Sequence, residues 1–399
     1  MTPDIVALDN QYILQTYGRS SFVIERGDGC YLYDTTGQQY LDCVAGIAVN
    51  ALGYGDPDVT AAISQHAGGL LHLSNLYHNM SGAVLAKTLV ESAPWIDRVF
   101  FSNSGAEAIE GAIKFSRRYA RDRHGDGKTA VVAFDGSFHG RTMGAVAITA
   151  REKYRAPFAP VMPDVRFGDY NDIDQLESLI TADVCAVVIE PIQGEGGLRV
   201  ANLAYLQKIR ALCDKFDALL IYDEIQCGIG RTGTIWGHPA EAAPDIMTIA
   251  KPLGGGLPIG AILMRQKVAD TIHAGDHGST FAGGPFVTAV AQVVFNKINT
   301  PEFLQHVQST SDYLDESLQE LMSRHSEITE LRGKGLMRGI RMDLPVNNVR
   351  EAGHNHHLLV ATAGDDVIRL VPPLILERHH VDELVQKLDA AISDVKSAR

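Results

Sequence analysis

Two short apolar runs, each closed by one ionisable residue, constrain this chain most. Residues 218–222 (ALLIY) lead directly into Asp223, and residues 245–250 (DIMTIA) lead into Lys251, with Gly254, Gly255 and Gly256 just beyond. Apolar runs of this length, rich in Leu and Ile, read as buried strands. In an open parallel sheet the ligand crevice lies outside the carboxyl ends of the strands, so Asp223 and Lys251 are expected to face one site. Taken alone, the commoner meaning of such a pattern is a loop cap and a solvated strand end.

An amine and a buried carboxylate at one crevice suit pyridoxal phosphate. That cofactor needs a lysine for its Schiff base and an acid that keeps the pyridine nitrogen protonated, which makes the ring an electron sink. Other segments add matching chemistry. Residues 98–107 (RVFFSNSGAE) read as a strand running into a helix, with Ser104 and Glu107 at capping-box spacing. Gly105 there allows close backbone approach, and free helix amides suit a phosphate, although a plain helix start is the commoner meaning. Residues 129–134 form another apolar run, followed by Phe138, His139, Gly140 and Arg141. A flat ring and a guanidinium at a strand end can stack on a heterocycle and hold a carboxylate; a structural loop with a surface arginine is the alternative, and His139 is open either way. Residues 184–189 lead into EPIQGEGG, whose Glu190 and Glu195 read either as acid/base groups or as loop anchors.

Strand, helix and strand recur, so the expected fold class is α/β, with a mainly parallel central sheet in a large domain and a smaller α+β domain. Residues 20–50 read as a β-meander with strands at 22–24, 30–33 and 40–42. Residues 331–395 mix short strands with helices, the last of them amphipathic through Leu384, Leu388 and Ile392. The expected divisions are an N-terminal segment 1–58 that packs with the small domain, a large domain 59–285, and a small domain 286–399. Residues 228–233 (GIGRTG) fit the dinucleotide fingerprint, but residues 234–239 (TIWGHP) cannot open the helix that it requires.

Charge narrows the partners. A formal net charge of −13 lacks the basic footprint that nucleic acid or an anionic membrane needs. Cys30, Cys43, Cys185, Cys213 and Cys227 are widely spaced, which indicates neither a disulfide framework nor a zinc site. No metal is expected, and His354, His356 and His357 read as a solvated helix end. No apolar run approaches a membrane span, and the N-terminus lacks a basic region followed by an apolar core, so a cytoplasmic location is expected.

Ser104-Gly105-Ala106-Glu107, Phe138-His139-Gly140-Arg141, the Glu190–Gly197 loop sequence, Asp223-Glu224-Ile225-Gln226, Lys251 and Gly278-Ser279-Thr280 occur here in the order and rough spacing of the class III (ω-amino-acid) aminotransferases, which this chain resembles over nearly its whole length. The resemblance implies a fold-type I pyridoxal-phosphate transferase. By it, Lys251 is the Schiff-base lysine, Asp223 pairs with the pyridinium nitrogen, Gln226 reaches the ring hydroxyl and Phe138 stacks on the ring. Ser104, Gly105 and Ala106 then hold the phosphate, and Thr280 reaches the phosphate of a neighbouring subunit, which implies a homodimer with shared active sites. Arg141 and Ser279 fall at substrate-binding positions, Arg141 on a carboxylate. Arg369 is implied to take the second carboxylate of glutamate or 2-oxoglutarate, and Glu195 to neutralise Arg369 when an acylated amino acid binds. The implied reaction passes the amino group of N2-acetylornithine to 2-oxoglutarate, in arginine biosynthesis. Ornithine, succinylornithine, an acyl-lysine or 4-aminobutyrate remain alternative donors, and an aminomutase or decarboxylase a more distant alternative. Ala106 and Pro252 depart from the family's commonest residues without removing a reacting group.

Overall fold

The computed structural model describes residues 4–398, and residues 1–3 and 399, which fall in the expected terminal segments, lie outside it. Three sheets form among these residues. Strands β1 (Ile24–Asp28), β2 (Tyr31–Asp34) and β3 (Gln39–Asp42) make an antiparallel meander. The expected first strand at 22–24 is displaced, because the observed one carries Glu25, Arg26 and Asp28 on a largely exposed edge and so has no apolar signal.

The large sheet contains β4 (Arg98–Ser102), β5 (Ala130–Phe134), β6 (Val165–Gly168), β7 (Val184–Ile189), β8 (Leu219–Asp223), β9 (Ile246–Ile249) and β10 (Gly260–Met264), in the order β4-β10-β9-β8-β7-β5-β6. The five strands from β9 to β6 are parallel, whereas β10 runs antiparallel to both of its neighbours. Every residue of β5, β7, β8 and β9 is buried, as strands covered on both faces must be. Helix Gly105–His124 covers one face through Ile109, Ile113 and Phe115, and helix Leu203–Phe216 covers the other through Leu206 and Ile209. At Gly260 a Cβ would lie 2.5 Å from Ser102 Oγ and 2.6 Å from the Ser104 carbonyl, so only glycine lets β10 pass the point where β4 turns into the helix.

Strands β11 (Ile328–Lys334), β12 (Met337–Met342), β14 (Ala361–Ala363) and β15 (Val367–Leu370) build the third sheet, while β13 (Leu358–Leu359) joins the N-terminal meander in parallel with β3. That pairing ties the N-terminal segment to the C-terminal part. Helix Pro285–Ile298 starts at the expected domain boundary, yet it packs chiefly on helices Pro57–Ala67 and Met80–Glu91 and on the turn that carries Lys251. None of the described helices is long and apolar enough to cross a membrane.

Candidate active site

The carboxyl ends of β7, β8 and β9 open onto one cavity of about 270 Å³. Asp223 is the last residue of β8, and Lys251 begins the turn after β9. The lining also takes Gly105 and Ala106 from a helix start, Phe138, His139 and Arg141 from the loop after β5, Glu190 and Glu195 from the loop after β7, and Gln226. Residues scattered over some 150 positions thus meet because adjacent strands end side by side, with Tyr222 opposite Met247 and Asp223 opposite Thr248.

Asp223 is 4% exposed, and its two oxygens have different partners. Oδ1 accepts from the Ile225 amide at 3.0 Å, and Oδ2 lies 2.7 Å from His139 Nδ1. Burial works against charge on His139, but the hydrogen bond and charge of Asp223 outweigh it, so the imidazole holds its proton to higher pH than a free one. Its Nε2 is buried without a partner. Glu190 accepts from the amides of Phe138 and Gly194, both at 3.0 Å, while burial pushes its carboxyl up to about 7.

Burial, followed by the charge of Arg369, lowers the Lys251 ammonium to about 8, against the opposing pull of Glu195, Asp223 and Glu190. The free amine therefore appears as pH rises through about 8, whereas a solvated lysine stays protonated until about 10.4. In the ligand-free chain, acylation of Lys251 by an amine-directed reagent should level off by about pH 9 while surface lysines keep gaining reactivity. Mass spectrometry of the labelled peptides reads this, and a Lys251 profile parallel to the surface lysines would contradict the site's electrostatics.

At the helix start, Ser104 Oγ accepts from the Glu107 amide at 3.2 Å. The reciprocal half of the capping box is displaced: Glu107 accepts from Asn103, from its backbone amide at 2.6 Å and its side chain at 2.9 Å. Ser104 is thus an exposed cap, and the first helical residues, Gly105 and Ala106, line the cavity. Gly140, at φ +133°, approaches so closely that a Cβ there would lie 2.8 Å from the Ala106 Cβ, so only glycine lets this loop pass the helix start.

Arg369, on β15, is 2% exposed and reaches across from the third sheet. Its Nη1 donates to Glu195 Oε1 at 2.5 Å and to Gln226 Oε1 at 3.4 Å. The Glu195 backbone carbonyl is held separately, by Arg151 Nη2 at 3.1 Å and the Gly364 amide at 3.0 Å. The backbone is anchored while the side chain alone meets the arginine.

Ser279 and Thr280 do not line this cavity. Ser279 Oγ accepts from Asn103 Nδ2 at 3.0 Å, and Thr280 is exposed beside Phe281. The histidine cluster also disperses: His356 pairs with Asp394 at 2.7 Å, and His354 meets Phe22 edge-on. The His139–Asp223 bond went unread because its partners stand 84 positions apart, with only the glycines around Phe138 to mark a loop.

Three comparisons agree with this geometry. The family profile described as aminotransferase class-III matches residues 12–392. The mitochondrial acetylornithine aminotransferase of Alnus glutinosa is 46% identical over 394 residues, covering 97% of this chain and 87% of that protein. Among solved structures, the N-acetylornithine aminotransferase of Stenotrophomonas maltophilia superposes with a TM-score of 0.86 at 37% identity, over 99% of this chain and all of that one. An amine transaminase from an uncultivated Pseudomonas species, solved in its PLP-bound form, gives a TM-score of 0.91 at 28% identity over 96% and 99% of the two chains. With a profile match over nearly its whole length, this chain belongs to the class III aminotransferases, a pyridoxal-phosphate-dependent family of fold type I.

Proposed function

We propose that the chain binds pyridoxal 5′-phosphate in the Lys251 cavity and transfers the δ-amino group of N2-acetylornithine to 2-oxoglutarate, giving N-acetylglutamate 5-semialdehyde and glutamate. The donor set fits the cofactor: a lysine of lowered basicity, a buried carboxylate, an aromatic face at Phe138 and helix-start residues for a phosphate. When bound, the cofactor supplies an electron sink that acidifies the C–H bond beside the amine. Lys251 is the base that takes this proton and holds it for return. Asp223, backed by His139, would hold the ring nitrogen's proton, and Gln226 would serve the ring hydroxyl.

The observation that carries the substrate reading is the Glu195–Arg369 pair beside the same cavity. A site that takes both a dicarboxylate and a substrate with a neutral acyl-amine must not leave a buried guanidinium unpaired with either. Glu195 satisfies Arg369 while the acetylated donor is bound and gives way to the second carboxylate of 2-oxoglutarate. Arg141 takes the carboxylate that lies away from the reacting carbon in each substrate, the α-carboxylate of N2-acetylornithine and the distal carboxylate of 2-oxoglutarate. The relatives named acetylornithine aminotransferase support this choice of donor.

A homodimer with shared sites accompanies this reading. Leu76, Tyr77, Met80 and Phe281 are 66–87% exposed, and Asn75 and Asn79 bond their loop to the carbonyls of Ser279, Ala282 and Gly283. This apolar ledge presents Thr280 outward, as a residue that serves a second copy's phosphate requires.

The test is the visible spectrum of the cofactor-loaded protein. Its yellow absorption should disappear on addition of N2-acetylornithine alone and return with 2-oxoglutarate. A yellow protein that ignores N2-acetylornithine but responds to ornithine or 4-aminobutyrate would overturn the choice of donor.

A further inference from the structure

We infer that Tyr154 is the positioning residue that fixes Arg141 for the substrate carboxylate, an inference that rests on the carboxylate reading of Arg141 above. Arg141 is exposed and, among the described residues, forms neither an ion pair nor a hydrogen bond. Its guanidinium carbon lies instead 3.7 Å from the Tyr154 ring centroid, with the Phe138 ring farther off at 5.6 Å. Tyr154 in turn meets Phe138 edge to face, with centroids 6.1 Å apart and planes at 83°. One half-buried phenol ring thus touches both the aromatic face of the cavity and the guanidinium at its mouth.

The chemistry follows from what a stacked arginine keeps free. Cation–π contact engages the face of the guanidinium and leaves its in-plane N–H fork open for a bidentate carboxylate. A salt bridge would occupy that fork and have to break before substrate bound. Without the ring, the long side chain regains its rotamer freedom and must be ordered again by each substrate. Lys153 Nζ stands 5.3 Å from the same ring and adds a second cation near the mouth.

Because each substrate offers Arg141 a carboxylate remote from its reacting carbon, losing the ring should affect both alike. In the cofactor-loaded enzyme, Tyr154→Leu should raise KM for N2-acetylornithine and for 2-oxoglutarate together by about three- to tenfold, with kcat within about twofold of wild type. Tyr154→Phe, which keeps the ring, should behave as wild type. Arg141→Ala should raise both KM values further, and adding Tyr154→Leu to it should change nothing more. If Arg141→Ala raises KM but Tyr154→Leu does not, the inference falls and the reading of Arg141 stands. If Arg141→Ala has no effect on KM, both fall. A Tyr154→Leu effect that persists undiminished in the Arg141→Ala background would mark a general structural role and overturn the inference. Should the leucine variant fail to fold, Tyr154→Met serves in the same comparison.

Discussion

Replacing Lys251 by alanine is expected to leave a folded chain with transamination reduced by at least about 10³-fold, since removal of a base that acts directly on the reacting C–H bond costs this much or more. The fold should survive because the Lys251 side chain makes no ion pair or hydrogen bond among the described residues and points into a cavity. Pro252, Leu253 and Gly254 carry the packing of that turn. Removing a cationic group of lowered basicity also relieves repulsion with Arg369. Thermal unfolding within a few degrees of wild type, with turnover lost, is the expected combination. Near wild-type turnover would remove Lys251 from the chemistry.

The same variant tests the shared site. In a Lys251→Ala protein the copy of Thr280 is intact, and in a Thr280→Asp protein, where a carboxylate opposes the phosphate, Lys251 is intact. If Thr280 serves the neighbouring subunit, a mixed dimer holds one site in which both residues are native and one in which neither is. Random re-association of the two inactive proteins should then restore about a quarter of wild-type activity, because half the dimers are mixed and each has one working site. If each chain supplied its own Thr280, mixing would restore nothing.

How much of this was legible in the sequence follows from how local each signal is. The strand at Val184–Ile189 announces itself by a continuous apolar run, and its expected and observed limits coincide. Asp223 and Lys251 could be placed at one crevice because each directly follows such a run. Edge and antiparallel features were harder. β1 carries charged residues on an exposed edge, with Arg26 3.5 Å from the Tyr33 ring, and β10 turns antiparallel through backbone pairing that no side-chain pattern encodes. The apolar face of helix Pro285–Ile298 says that it is buried, not against which neighbour. The contact of His139 with Asp223 arises only when loops from different strands converge, and that of Tyr154 with Arg141 only when the long connection after β5 folds back on itself, so neither is visible in a linear reading. The Glu195–Arg369 pair, 174 positions apart, was anticipated only through family resemblance.

That pair yields the second large effect. Glu195→Ala should shift the ratio of kcat/KM for glutamate over N2-acetylornithine towards glutamate by about 10- to 100-fold. In the native structure Arg369 is 2% exposed, has an unpartnered Nε, and relies on Glu195 for its charge partner. With alanine at 195 the acetylated donor binds beside a buried, uncompensated guanidinium, which costs about 3 kcal/mol if not relaxed. Glutamate brings a carboxylate to the vacant position and no longer has to displace a resident one, so its binding improves while that of the acetylated donor worsens. Partial hydration of Arg369 after truncation reduces the full cost, which sets the lower limit of the range. The backbone of residue 195 should stay in place, because Arg151 and Gly364 hold its carbonyl independently of the side chain. Glu195→Gln separates charge from shape: it can still accept from Arg369 but leaves the cation uncompensated, so it should shift the ratio in the same direction by a smaller factor. Steady-state kinetics with both donors measure this directly, and an unchanged ratio in both variants would mean that the pair seen here does not select the substrate.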